Sequence, residues 1–189
     1  MWVADFTPIC TTELSIAQRY APEFAKRDVK MVAVSCDPVD SHRAWEKDIG
    51  AYAPDLALGE RGLSFPIIAD PDRELATKLG MLDAVSKNEK GIPNTCRAVF
   101  IVGPDKKLKL SILYPASTGR NFDEIIRVID SLQLTAKHRL ATPGNWNAGQ
   151  ECFIVPSVSA EDAEKTFPGF KTIPVPSGKS YLRVTKDPR

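Results

Sequence analysis

The chain has no apolar run approaching the length of a membrane span, and no basic segment followed by an apolar one at its start. Neither a spanning helix nor a secretory leader is expected. Histidine is scarce: His42 and His138 are the only two in 189 residues, far apart and without companions at metal-ligand spacing. That argues against a zinc site. The four cysteines, Cys10, Cys36, Cys96 and Cys152, show no paired spacing. Without a secretory signal they read as reduced thiols of a reducing compartment, and the expected location is cytoplasmic. An excess of one charge is missing too. With 25 basic against 24 acidic side chains the net charge is +1, which argues against a general electrostatic grip on nucleic acid. Internal repeats and low-complexity tracts are absent.

What remains is ordinary globular material, 43% hydrophobic and 26% charged. It is long enough for one domain, or one domain with an appendage. Its most informative stretch is Asp5-Phe6-Thr7-Pro8-Ile9-Cys10-Thr11-Thr12-Glu13-Leu14. Thr7 suits a helix N-cap, and Pro8 suits the first helical position, where a missing N–H costs nothing. Cys10 then falls at the third position, facing unpaired backbone N–H groups and the positive end of the helix dipole. Both favour the thiolate, which is the nucleophilic form. The alternative is a small buried hydrophobe, the commonest state of a lone cysteine.

From Cys10 onward Leu14, Ala17, Ala21, Phe24 and Ala25 form a helical stripe, which Pro22 is expected to kink or divide. Val29–Ser35 reads as a strand buried on both faces. A helix follows over Ser41–Tyr52, then a loop to Ser64 and a short strand at Phe65–Ala69. Asp70-Pro71-Asp72 caps a helix that runs to Leu79 and stops at Gly80. After a polar loop over Lys87–Pro93, Cys96–Val102 and Leu108–Tyr114 form a hairpin around Gly103-Pro104-Asp105. Asn121–Leu132 is a patterned helix. This alternation is α/β with a closing antiparallel hairpin and fits a thioredoxin-like layout, a central mixed sheet flanked by helices. After Leu134 prolines punctuate short segments: a strand at Cys152–Val155, a capped helix from Ser159, a strand at Tyr181–Val184. The tail reads as a small α+β appendage, too short to hold a large core alone. The expected domains are residues 1–134 and 135–189.

Thr7-Pro8-Ile9-Cys10-Thr11-Thr12-Glu13 resembles the active-site signature of the peroxiredoxins, P-x-x-x-T-x-x-C. Gly103–Leu110, Tyr114–Phe122 and the proline-rich tail from Ala141 are similar to the one-cysteine, peroxiredoxin-6-like branch. The resemblance implies a thiol-dependent peroxidase that reduces hydrogen peroxide and organic or lipid hydroperoxides, with a role in antioxidant defence. Cys10 would be the peroxidatic nucleophile, passing through a sulfenic acid. Thr7 and nearby N–H groups would hold the peroxide, and Arg97 would stabilise the thiolate and the charge developing on the breaking O–O bond. Glu13, Arg120 and Pro8 match supporting positions. On the residues alone Arg97 is equally a surface charge, Arg120 a salt bridge at a helix start, and Glu13 a first-turn acid.

Cys152 is not in the context of a resolving cysteine, and Cys36 and Cys96 sit in strand-like runs. The reductant implied is therefore an external thiol, glutathione, delivered by a glutathione transferase. No bound cofactor is implied. The resemblance also implies a homodimer and a peripheral contact with oxidised phospholipid.

Two departures stand out. Val3 and Trp2 occupy the family's proline and histidine positions ahead of Thr7. The chain also begins nine residues before Cys10, where family members carry a hairpin and the strand leading into the active-site helix. The expectation is a truncated form in which Val29–Ser35 and Cys96–Val102 each lack a partner strand. The branch's phospholipase A2 site needs a serine and a histidine from that missing part. Only Asp105 matches, in a turn where Asp is expected anyway, so lipid hydrolysis is not expected. The alternative to an active peroxidase is a catalytically weak form that dimerises with full-length relatives.

Overall fold

The computed structural model describes residues 4–56, 58, 62–87, 91 and 93–189. Trp2 and Val3 lie outside the described residues, as do parts of the Ala53–Ser64 and Lys87–Pro93 loops. The chain divides into two compact units, Met1–Phe122 and Asp123–Arg189. Among the described residues no helix is long and apolar enough to cross a membrane.

The first unit opens with α1 (Pro8–Lys26), with Thr7 at the N-cap position and Pro8 in the first turn. Leu14, Ala17 and Phe24 form its buried stripe. Pro22, expected to kink or divide the helix, lies inside it without dividing it. Strong helix formers surround it, and buried side chains anchor the helix on both sides of it.

Strand β1 covers only Ala33–Ser35, shorter than the expected Val29–Ser35. Its parallel partner β2 (Ile67–Ala69) is equally short, paired Ala33 to Ile67 and Ser35 to Ala69. Pro66, just before β2, has no N–H to extend the ladder; its carbonyl accepts from the Ala33 N–H at 2.9 Å.

Between these strands lies α2 (Val39–Tyr52), which buries His42, Trp45 and Ile49 along one face. Helix α3 (Glu74–Lys78) is capped from upstream: the Asp70 carboxylate accepts from the N–H groups of Leu75 (3.1 Å) and Ala76 (2.8 Å). Gly80, at φ +65°, ends it. Strands β3 (Leu82–Lys87) and β4 (Pro93–Thr95) form an irregular antiparallel pair that the sequence pattern did not announce. The hairpin is as expected, β5 (Arg97–Val102) against β6 (Leu108–Tyr114), with Arg97 opposite Tyr114. Among the described residues β1 pairs with β2 alone and β5 with β6 alone.

Helix α4 (Phe122–Lys137) runs five residues past the expected Leu132. The second unit then builds an antiparallel sheet in the order β7 (Leu140–Ala141), β8 (Cys152–Ile154), β10 (Arg183–Thr185), β9 (Lys171–Thr172). Helix α5 (Ala160–Thr166) starts at Ser159, whose hydroxyl accepts from the Asp162 N–H at 3.0 Å. This unit has a core of its own around Trp146, Cys152, Ile154 and Phe167.

Candidate active site

Cys10 occupies the third position of α1 and is 1% exposed. The Nη1 of Arg97, from the first residue of β5, donates to its sulfur at 3.3 Å. Arg97 is itself immobilised. Its Nε donates to the Ala116 carbonyl at 2.7 Å, and its Nη1 also meets Glu13 Oε2 at 2.8 Å. Glu13 stands one turn along α1 from Cys10, and it is shared. The Arg120 backbone N–H donates to Oε1 at 2.7 Å, its Nε to Oε1 at 3.0 Å and its Nη2 to Oε2 at 2.6 Å. Arg120 Nη1 donates to the Ala98 carbonyl at 3.1 Å.

Glu13, Arg97 and Arg120 are all buried. Two guanidiniums and one carboxylate sum to one net positive charge, placed where water cannot screen it. A single anion is what such a group takes up, and the side chain it touches besides its own partners is the Cys10 sulfur. Removing one partner of a buried ion network leaves an uncompensated charge, so the three side chains stand or fall together. The structure thus brings together Cys10, Glu13, Arg97 and Arg120 from α1, β5 and the turn before α4.

Thr7 departs from the expected cap. Its backbone has N-cap geometry, but its hydroxyl donates to the Ala4 carbonyl at 2.8 Å and caps nothing. The Thr7 carbonyl instead accepts from the Thr11 N–H (3.0 Å) and the Thr11 hydroxyl (2.8 Å). Pro8 does what its position requires, filling the first turn without a stranded N–H.

The remaining cysteines differ. All four are free thiols. Burial pushes the Cys96 and Cys152 thiols above the ordinary range, and at Cys152 the Asp187 carboxylate adds to it. Asp105 sits in the β5–β6 turn, where it accepts from Lys109 Nζ at 2.7 Å and the Lys107 N–H at 3.2 Å. That is a turn-forming role for an exposed aspartate, and Lys109 holds its carboxyl below the usual range.

Sequence reasoning missed a polar cluster ahead of the helix. The Asp5 carboxylate meets His42 Nδ1 at 2.7 Å and accepts from the Ser35 hydroxyl at 3.0 Å, and the Asp5 N–H donates to Asp37 Oδ2 at 2.8 Å. Trp45 Nε1 donates to the Thr11 hydroxyl at 3.0 Å. The available signal was His42 and Trp45 three apart on one helix, hence on one face.

Comparison with known proteins places this geometry. Residues 1–111 match the AhpC/TSA family, and residues 131–170 match the C-terminal domain of 1-Cys peroxiredoxin. Peroxiredoxin-6 of Gallus gallus is 60% identical over 185 residues, which cover 97% of this chain and 82% of the relative. Peroxiredoxin-6 of Homo sapiens is 58% identical over the same shares. Among solved structures, a cysteine-to-serine mutant of the peroxiredoxin 6 of Arenicola marina superposes with a TM-score of 0.92 at 52% identity, covering 100% of this chain and 85% of that one. A yeast mitochondrial 1-Cys peroxiredoxin, studied for thiol resolution via glutathione/thioredoxin systems, gives 0.85 at 42% identity, covering 97% and 82%. The fold is the thioredoxin-like peroxiredoxin fold. The chain belongs to the peroxiredoxin family, in its one-cysteine, peroxiredoxin-6-type branch.

Proposed function

We propose that this thiol-dependent peroxidase works through Cys10, with Arg97 as the charge that serves it. The thiolate attacks one oxygen of the hydroperoxide. An S–O bond forms as the O–O bond breaks, two electrons pass from sulfur to peroxide, and the departing oxygen takes a proton to leave as water or alcohol. Cys10 becomes a sulfenic acid. The contact that carries this reading is Arg97 Nη1 to the Cys10 sulfur at 3.3 Å, from a guanidinium also held by Glu13 and the Ala116 carbonyl. A fixed positive charge in a water-poor site stabilises both the thiolate and the negative charge that grows on the leaving oxygen. Thr7 and Pro8 shape the first turn, and Glu13 and Arg120 hold Arg97.

The sulfenic acid is then reduced by an external thiol. Its thiolate attacks the Cys10 sulfur, an S–S bond forms, and the hydroxyl leaves as water; a second thiol releases Cys10. Glutathione is the reductant we infer, in keeping with the system named for the yeast relative. The reading of an inactive dimerisation partner is not favoured, because the buried charge set around Cys10 is complete.

Treating the full chain with one equivalent of hydrogen peroxide, then trapping sulfenic acid and mapping it by mass spectrometry, tests this. The label is expected at Cys10 and on none of the other three thiols, and Cys10→Ser abolishes it. Labelling that persists in Cys10→Ser at another cysteine would overturn the assignment.

A further inference from the structure

We infer that α2 latches the segment carrying Cys10, with His42 as a positioning residue for the peroxidase reaction; this rests on the function proposed above. Two side chains on one face of α2 reach α1 and the loop before it. His42 Nδ1 meets the Asp5 carboxylate at 2.7 Å, five residues before Cys10, and Trp45 Nε1 donates to the Thr11 hydroxyl at 3.0 Å, one residue after it. Thr11 passes that hold to the Thr7 carbonyl at 2.8 Å. The sulfur is thus bracketed by two hydrogen bonds from one neighbouring helix.

The pairing of Asp5 with His42 is buried, with side chains 2% and 6% exposed. A carboxylate facing Nδ1 requires the proton on that nitrogen, so Nε2 is the other end of the ring. Nε2 is also buried, and it has no hydrogen-bond partner among the described residues. An apolar side chain would fill the same space without stranding a polar atom. What the imidazole supplies is the single bond to Asp5.

Between the two holds lies Phe6, a bulky exposed residue at φ +55°, in the left-handed region. Such a conformation persists only where the surroundings impose it. Here they do so through Asp5, which is fixed by His42, Ser35 and Asp37. Releasing Asp5 lets Phe6 relax and the first turn of α1 loosen.

The two half-reactions need opposite things from that turn. Oxidation needs the sulfur held against Arg97. Reduction needs an external thiol to reach a sulfur that is 1% exposed. Weakening the latch therefore slows the peroxide step and speeds the thiol step.

The test uses the full chain as His42→Leu, His42→Asn and Trp45→Phe. Asparagine keeps an N–H donor near the position of Nδ1, and phenylalanine removes the indole donor together with part of a fully buried ring. In His42→Leu we expect sulfenic acid formation with hydrogen peroxide to slow about tenfold, while glutathione reduction and iodoacetamide alkylation at Cys10 speed up about tenfold, as for loss of one buried bond to a charged group. Trp45→Phe moves the same rates the same way by less, and His42→Asn restores them to within about threefold. Oxidation and alkylation that fall together, or that do not move in folded His42→Leu, overturn the latch, as does an asparagine variant as defective as the leucine one. If His42→Leu does not fold, Trp45→Phe is judged by the same opposite movement. Alkylation reads access without peroxide. Faster alkylation beside a parent chain that forms no sulfenic acid overturns the peroxidase reading and supports the latch, whereas unchanged alkylation overturns the latch alone.

Discussion

Cys10 and Cys152 are hidden from solvent to nearly the same degree, 1% and 0% exposed, yet they sit in opposite electrostatic settings. Cys152 lies in an apolar cluster with Trp146, Ile154 and Phe167, and its sulfur donates to the Gln150 carbonyl at 3.6 Å. Burial pushes its thiol up, and the Asp187 carboxylate pushes the same way. Cys10 meets a guanidinium at 3.3 Å that belongs to a buried group with one net positive charge. Burial penalises a charge only where no opposite charge is waiting; where one is, burial removes the water that would screen it. Solvent exposure therefore says little about which cysteine of this chain reacts, and the nearest full charge says most.

The comparison breaks most directly at Glu13. This carboxylate takes four donors from Arg97 and Arg120 between 2.6 and 3.0 Å. In Glu13→Gln the amide would set an N–H against a guanidinium and leave both positive charges uncompensated. We expect a loss of about 3–5 kcal/mol of stability, the usual cost of breaking a buried ion network from one side. Arg97 then loses its fixed aim at the sulfur, and peroxide oxidation of Cys10 slows by about a hundredfold, in line with removal of one preorganised electrostatic contact. Denaturant unfolding and stopped-flow oxidation measure the two effects. A stable, fully active Glu13→Gln would mean that the charge balance around Cys10 is incidental.

A smaller effect sharpens the contrast without mutation. Thiols pushed up by burial become thiolates only when the pH exceeds the ordinary cysteine value, about 8.5. Alkylation of the folded chain at pH 7 should then spare Cys96 and Cys152, and both should begin to react only as the pH is raised past that value. Peptide mapping across a pH series reads each site separately. If Cys152 were modified at pH 7 as fast as Cys10, the difference drawn between their surroundings would have no chemical consequence.

Much of this was legible in the chain because it is local. Thr7-Pro8-x-Cys10 places the sulfur in the first turn of α1 by short-range backbone rules, and Cys10 stands at the third position. The hairpin of β5 and β6 announces itself through two β-rich runs and the turn between them. The charge set does not. Arg97 lies 84 residues from Glu13, and Arg120 lies 107 away. No periodicity connects positions that far apart, and only the family resemblance brought them forward. The Asp5–His42 pair, 37 residues apart, had no such help. Thr7 was misread in one respect for a physical reason: a hydroxyl near a free carbonyl donates to it rather than waiting for an N–H, and Ala4 offered the carbonyl. Strands β3 and β4 escaped because Asp83 and Ser86 interrupt the apolar pattern and the pairing register shifts between its ends.

The smallest effect concerns the carboxylate that sets Cys152 apart. Asp187 Oδ2 accepts from Arg189 Nη2 at 2.8 Å and from the Gly149 N–H at 2.9 Å, while Arg189 lies over the Trp146 ring with Cζ 5.4 Å from its centre. These contacts, the Arg189 hydrogen bond foremost, hold the Asp187 carboxyl well below the usual carboxylate range. A group whose pKa is lower folded than unfolded adds stability above its unfolded value, about 4 for aspartate, and that stability drains away as the pH falls below it. Asp187→Asn removes the group and with it this share of the acid dependence. Thermal melts of the full chain, followed by tryptophan fluorescence between about pH 3 and 6, should therefore fall less steeply with acid in the variant than in the parent. The same change withdraws the negative charge that opposes ionisation of Cys152, so alkylation of that thiol should set in at lower pH. It stays above the ordinary thiol range all the same, because burial, the larger cause, is untouched. A Cys152 onset that does not move would leave burial as the whole of the difference between the two sulfurs on the Cys152 side, and would put the charge argument entirely on Arg97.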